Sequence, residues 1–254
     1  VYIFKIKPGI YFTNDPAFKG KRRELVAEDY VYTIKRILDP KNRAPSVSFI
    51  DGKLQGADVV VAQAKKTGKF DYAAPIAGLK AIDRYTLQFT LTRQDFNFPY
   101  ILAYITFGAV AKEVVDYYGD RIGMHPVGTG PYMLSKYVPR SKVELVANPD
   151  YRGFVWNFKS TGTPWDNQLV KEMYGKKMPQ VGKVVVSIIE EEQSRWLAFQ
   201  SGQLDFDKLT ANAVPQALDG NQLKASFKKR GIKHYPNKDP EITYTMMNMR
   251  DPVI

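Results

Sequence analysis

Chemistry in this chain would have to come from a short inventory. There are two histidines, His125 and His234, no cysteine, and one dense run of carboxylates, Glu190-Glu191-Glu192. Nucleophilic hydrolysis needs a base beside its nucleophile, and no G-x-S-x-G elbow accompanies either histidine. His125 directly precedes a proline–glycine corner, where a packed or turn-exposed ring is expected; His234, in Lys233-His234-Tyr235, reads as a surface or packing residue. Lone histidines without cysteine, or without HExxH spacing, predict no zinc site. An acid/base pair needs two carboxylates converging on one pocket, whereas consecutive helical residues fan out by about 100°. The triple glutamate is therefore expected to complement the positive N-terminal end of a helix.

Two glycine-bearing segments imitate phosphate-binding motifs and fail on spacing. In Gly128-Thr129-Gly130 the third glycine of a dinucleotide fingerprint would fall at Met133, and an extended segment follows instead of a helix. Gly175–Lys183 has six residues between its glycines rather than four, and Val184 stands where a magnesium-binding hydroxyl is needed. No catalytic residue, metal site or cofactor is expected, and that favours a binding protein.

The elements that would position a binding site are clearer. Tyr2, Phe4 and Ile6 alternate with polar or outward residues and predict a half-buried strand ended by Pro8-Gly9. Glu24–Leu38 predicts a helix with Tyr30, Val31, Ile34, Ile37 and Leu38 on one face, acidic residues at its start and Asp39-Pro40 at its stop. Gly56–Lys66 predicts a second helix ended by Gly68, and Ala111–Tyr118 a short one ended by Gly119. Leu79–Ile82 and Tyr85–Leu91 are expected to pair around Asp83-Arg84. A tightly cornered hairpin is expected from Pro131–Lys136 and Lys142–Val146, with Gly128–Pro131 in front and Asn148–Tyr151 as a turn behind. Lys183–Ile189 reads as a strand buried on both faces, Glu190–Ser201 as a helix and Leu204–Phe206 as a strand, together a right-handed crossover. Trp196 and Phe199 are expected in the core, covering that first strand. Gln216–Arg230 holds weaker helical stretches, and Ile232–Tyr235 and Ile242–Asn248 look extended. Phe154–Val181, with Trp156 and Trp165, reads as a surface loop or as a lip over a cleft.

With 254 residues, 44% of them hydrophobic and 25% charged, the chain has the composition of an ordinary folded protein. No apolar run approaches the roughly 18–20 residues of a membrane-spanning helix. The balance of 37 basic against 26 acidic residues gives +11. Its basic runs, Lys19–Arg23, Lys176-Lys177 and Lys228–Arg230, are widely spaced and read as solvated faces. No recognition helix or RNA-binding aromatic motif accompanies them, so nucleic acid is not an expected partner. A basic surface for anionic membranes or acidic partners stays open as an alternative.

The hairpin region, His125–Gly153, reads HPVGTGPYMLSKYVPRSKVELVANPDYRG, and its VGTGPY and NPDY words resemble the signature of family 5 extracellular solute-binding proteins, the peptide, nickel and related receptors of ABC importers. Tyr2–Phe12 followed by Glu24–Pro40 is similar to that family's strand and AEDVVYS…RLLDP helix. Glu191–Asp205 is similar to its helix-and-strand word ending in sGeiD, and Tyr244–Pro252 to its cleft strand. The four matches fall in family order along nearly the whole chain, leaving Phe154–Val181 unmatched.

The resemblance implies an α/β and α+β fold, part of a two-lobed periplasmic-binding-protein-like architecture of the type II, oligopeptide-receptor kind. It implies an internal piece of a receptor that lacks an earlier segment of the first lobe and the second lobe. Residues 1–135 would form an α+β subdomain inserted in the first lobe, and residues 136–254 its α/β part. Binding would proceed without chemistry: lobes close over a small solute such as a peptide and present it to an ABC permease of the inner membrane, with the receptor periplasmic or lipid-anchored at the cell surface. Tyr244, Met246 and Asn248 are the expected ligand contacts, since a two-residue period puts them on one face of the strand that lines the family's cleft. Asn248 either meets a peptide backbone with its amide or is satisfied inside a buried strand. The Gly128–Tyr132 corner is expected to be structural, with Gly130 held at positive φ or against a neighbour that forbids a side chain. An enzyme whose catalytic group lies outside this chain stays open as a further alternative.

Overall fold

The alternation at the start of the chain forms strand β1 (Tyr2–Lys5), and the first strong apolar stripe forms helix α1 (Ala27–Leu38). The structure is a computed structural model and describes residues 1–236 and 243–250. Helix α1 starts later than the sequence suggests because Leu25 is drawn into a separate core cluster. The Asp29 carboxylate then accepts the Val26 N–H at 2.8 Å and pairs with Arg23 at 2.6 Å. Val31, Ile34, Ile37 and Leu38 are buried, as their shared face requires. Helix α2 (Ala57–Thr67) ends on Gly68 at φ 73°, the left-handed position expected there.

Strands β2 (Leu79–Asp83) and β3 (Thr86–Phe89) form the expected hairpin, and β1 adds to its other side in the order β1-β3-β2, all antiparallel. One face of this sheet carries Leu79, Leu87 and Phe89 into a core shared with Val31, Ile34 and Leu38 of α1. Phe89 meets the rings of Phe4 and Phe98 edge-on at 5.8 and 5.2 Å. Phe98 opens helix α3 (Phe98–Leu102), and helix α4 (Lys112–Tyr118) places Val114 against Phe12, Phe18 and Leu25 in a second cluster.

Strands β4 (Tyr132–Val138) and β5 (Lys142–Ala147) make the expected cornered hairpin, paired from Tyr132↔Ala147 to Val138↔Lys142 with a one-residue register shift between Leu134 and Lys136. Phe154–Val181 is more ordered than the sequence suggested. Strand β6 (Phe154–Val155) pairs with β7 (Lys177–Met178), and between them runs helix α5 (Pro164–Met173). Its start signal was present: the Thr163 hydroxyl accepts the Asp166 N–H at 3.2 Å, and Pro164 occupies the first turn. Without a strong apolar stripe, that signal was not enough to reveal the helix.

Strand β8 (Lys183–Ser187) pairs antiparallel with β5, completing a three-stranded sheet in the order β4-β5-β8. Its apolar run is not buried on both faces: Val185 and Val186 are each 47% exposed. Leu204–Phe206 forms no strand, so the expected strand–helix–strand crossover is absent from the described residues.

The chain divides into two compact units, Val1–Ser187 and Ile188–Ile254. In the second unit, helix α6 (Glu192–Gln200) buries Trp196 against Ala213, Ala217 and Phe227, with Phe199 packed alongside. Those partners come from a short helix α7 (Val214–Ala217), the two-residue strands β9 (Leu218–Asp219) and β10 (Gln222–Leu223), and helix α8 (Ala225–Lys229) around them.

Candidate functional site

The glycine–proline corner is held by a buried asparagine. Asn148 donates its backbone N–H to the Pro131 carbonyl at 2.8 Å and its side-chain amide to the Gly130 carbonyl at 3.0 Å. Its side-chain oxygen accepts the Asp150 N–H at 3.0 Å, forming the turn that precedes Tyr151. Every polar group of this side chain therefore works inside the corner. Gly130 departs from expectation: its φ is not positive, and a Cβ there would meet nothing within 4 Å. The corner is fixed by what Gly130's carbonyl accepts, not by what its missing side chain avoids.

The triple glutamate behaves as a cap. Glu191 precedes α6 and accepts the backbone N–H groups of Gln193 and Ser194, and these bonds hold its carboxyl below the usual range. The His125 ring lies flat on Tyr118, with ring centroids 3.9 Å apart, and His234 is half-buried. Gly175 leads into β7 and β8 rather than a helix. Among the described residues, no group of three His, Cys, Asp or Glu side chains is arranged to hold a metal ion. Nor is any helix long and apolar enough to cross a membrane.

In the basic run at Lys19–Arg23 the lysines Lys19 and Lys21 are exposed, while both arginines are engaged. Arg23 is tied to Asp29 and Glu113, and Arg22 lies over the Tyr11 ring at 4.1 Å. By contrast, the expected ligand contacts are open. Thr243–Asn248 belongs to no strand, and Tyr244, Met246 and Asn248 are all exposed. The Asn248 side-chain oxygen accepts the Arg250 N–H at 3.2 Å, while its amide N–H groups have no partner among the described residues. Ile242, at the start of the expected strand, lies outside the described residues.

Sequence reasoning passed over one apolar surface. Phe96, Tyr100, Tyr104 and Ile105 are exposed around α3, and Tyr104 meets Phe49 with ring centroids 5.6 Å apart. The stretch Asp95–Phe107 is dense in aromatics. Because Phe98 and Phe107 are buried, density alone does not say which rings face solvent.

The family described as "Bacterial extracellular solute-binding proteins, family 5 Middle" matches residues 1–254. The chain belongs to this family. Among its family 5 relatives is "Di/tripeptide-binding protein 2" of Pseudomonas aeruginosa (strain UCBPP-PA14), 27% identical over 59% of this chain and 27% of the relative. Another is "Probable deoxycholate-binding periplasmic protein YgiS" of Escherichia coli (strain K12), 31% identical over 59% of this chain and 26% of the relative. The family 5 chain thus spans about a quarter of the length of these relatives. The substrate-binding domain of an oligopeptide ABC transporter from Bacillus anthracis superposes with a TM-score of 0.61 at 22% identity, covering 84% of this chain and 35% of that one. That likeness establishes the periplasmic-binding-protein fold of the oligopeptide-receptor type. Members of the family are extracellular solute-binding proteins, which sets this chain's compartment outside the cytoplasmic membrane.

Proposed function

We propose that this chain is part of a receptor that captures an extended solute, such as a peptide, for an ABC importer and performs no chemistry on it. The observation that carries the reading is the family 5 match along all of residues 1–254. The solute would lie in a cleft between two lobes that close by hinge motion, and the closed form would engage a permease in the inner membrane. The receptor would be periplasmic or anchored by lipid at the cell surface. Assignment of residues 1–135 and 136–254 to parts of the first lobe belongs to this proposal.

Tyr244, Met246 and Asn248 are the proposed cleft contacts. Their exposure supports the assignment, as do the unpartnered amide N–H groups of Asn248, which suit a peptide carbonyl. Calorimetric titration of the protein with di-, tri- and oligopeptides, and with deoxycholate as the competing solute class, tests the reading. A peptide should bind best, and Asn248→Ala should weaken it by about tenfold through loss of one hydrogen bond. Unchanged affinity in Asn248→Ala would remove that residue from the site, and preference for deoxycholate would overturn the peptide reading.

A further inference from the structure

The stretch from Pro149 to Ser187 contains not one buried residue, although it holds strands β6, β7 and β8 and helix α5. Its local structure rests on polar groups and backbone pairing. The Asp166 carboxylate accepts the Ser160 and Thr161 hydroxyls at 3.0 and 2.8 Å, and β6 pairs with β7. Its apolar residues stay in water: Phe154, Val155, Phe158, Trp165 and Tyr174 are each 45–70% exposed. Phe158 meets the Phe154 and Trp156 rings edge-on at 6.4 and 4.7 Å, so these three rings form a cluster at the surface.

Phe154 and Val155 are successive strand residues, so they point to opposite faces of the β6–β7 ribbon, beside Met178 and Lys177 respectively. Both faces are therefore apolar and wet. A rigid partner that covers one face leaves the other in water, whereas a fluid interface closes around both.

The charge on the segment is one-sided. Lys159, Lys171, Lys176 and Lys177 are all exposed, and no ion pair among the described residues includes any of them. The two carboxylates between Arg152 and Gly182 are occupied, Asp166 by the hydroxyls above and Glu172 by the Gln168 amide at 2.8 Å. Two of the cations flank the rings: Lys177 pairs opposite Val155, and the Lys176 carbonyl accepts the Trp156 N–H at 2.9 Å. Exposed rings among unpaired lysines have the chemistry of an anionic lipid interface, where apolar side chains settle among headgroups and ammonium groups meet phosphates. The family's extracellular compartment puts such an interface, the outer face of the cytoplasmic membrane, within reach.

We infer that the β6–α5–β7 segment docks the protein on an anionic phospholipid bilayer, with Phe154, Val155 and Phe158 in the headgroup boundary and Lys176 and Lys177 on phosphates. The inference is independent of which solute the protein binds.

The test mixes the full chain with vesicles of phosphatidylcholine, alone or with about one-third phosphatidylglycerol, and measures the bound fraction by flotation. Binding should require the anionic lipid and fall at least tenfold as salt rises from about 0.05 to about 0.5 M. Lys176→Gln with Lys177→Gln should weaken it about twentyfold, at roughly fivefold per lysine. Lys65→Gln with Lys66→Gln, an exposed pair on α2, should weaken it by less than about threefold. Phe154→Ser with Phe158→Ser should weaken it about tenfold. Acyl-brominated lipid should quench tryptophan emission, and less so in Trp156→Phe. The substituted lysines and phenylalanines are exposed, so none of those variants removes a core side chain. No binding to the anionic vesicles, equal losses in the two lysine pairs, or binding unchanged by the phenylalanine substitutions would each overturn the inference. So would tighter binding to polyglutamate than to vesicles, which would point to an acidic protein partner.

Discussion

Replacing Gly78 with alanine tests the packing argument at the point where the fold leaves least room. A Cβ on Gly78 would lie 2.4 Å from the Thr90 carbonyl oxygen and 2.5 Å from the Gln55 nitrogen. Both are backbone atoms, so no side-chain rotation relieves the clash. Ordinary contact begins near 3.4 Å, so the chain would have to retreat by about 1 Å. Three backbone hydrogen bonds converge there: Gly78 N–H to Gln55 O at 2.7 Å, Thr90 N–H to Gly78 O at 2.9 Å, and Gln55 N–H to Thr90 O at 3.1 Å. Weakening three bonds of about 1 kcal/mol each, with some overpacking strain, predicts a loss of about 3–5 kcal/mol. Gly130→Ala is the matched control, because its Cβ meets nothing within 4 Å and its φ is not positive. The two substitutions restrict the unfolded chain alike, so their difference isolates the clash. Urea unfolding followed by far-ultraviolet circular dichroism reads the loss of helix and sheet, most of which lies in the first unit. With a slope of about 2 kcal/mol/M, the midpoint of Gly78→Ala should fall by about 2 M while Gly130→Ala stays within about 0.3 M. Equal midpoints for the two variants would refute the reasoning.

Other expectations follow from single sites. Trp196→Ala should cost the second unit about 3–5 kcal/mol, because it empties the space beside Phe199, Ala217 and Phe227 and strands Gln216, to which the indole N–H donates at 2.8 Å; thermal unfolding measures this. Asn148→Ala should cost about 1–3 kcal/mol and speed amide exchange at Asp150, since the buried corner loses both side-chain bonds. The Glu24 carboxyl is pulled down to about 2 by Arg84, the Gly9 N–H and the Tyr85 hydroxyl. A depressed folded-state pKa gives stability that is present above the ordinary value of 4.5 and lost as pH falls toward 2. Glu24→Gln should therefore remove about 1 kcal/mol at neutral pH and flatten the unfolding midpoint's pH dependence between 4.5 and 2.

How far the sequence carried depended on whether a signal was local. Helices α1, α2 and α4 and the β4–β5 hairpin were legible because apolar period, caps and turn residues agree within a few positions. The failures lie where a neighbour decides. Lys183–Ser187 has the composition of a fully buried strand, yet it lies at the edge of its sheet with Val185 and Val186 each 47% exposed, and what covers a strand's faces is not written in its own residues. Gly130 looked constrained from its place before Pro131, but the constraint resides in Asn148, eighteen positions on. Helix α5 has a cap in Thr163 but no strong apolar stripe, and a cap without a stripe does not reveal a helix. For the proposed site, Tyr244, Met246 and Asn248 came from family resemblance; an exposed segment outside any strand has no periodicity to check.

The central claim, solute capture without chemistry, is tested most directly by weighing what the protein holds. Native mass spectrometry of the protein purified from its host without refolding should show a discrete mass excess. Collisional release and fragmentation should identify that excess as a peptide, and it should be recovered intact after prolonged incubation. Recovery of shortened peptide would mean turnover and contradict the claim. So would a protein that carries no solute, binds no added peptide, and instead takes up anionic vesicles with strong salt dependence.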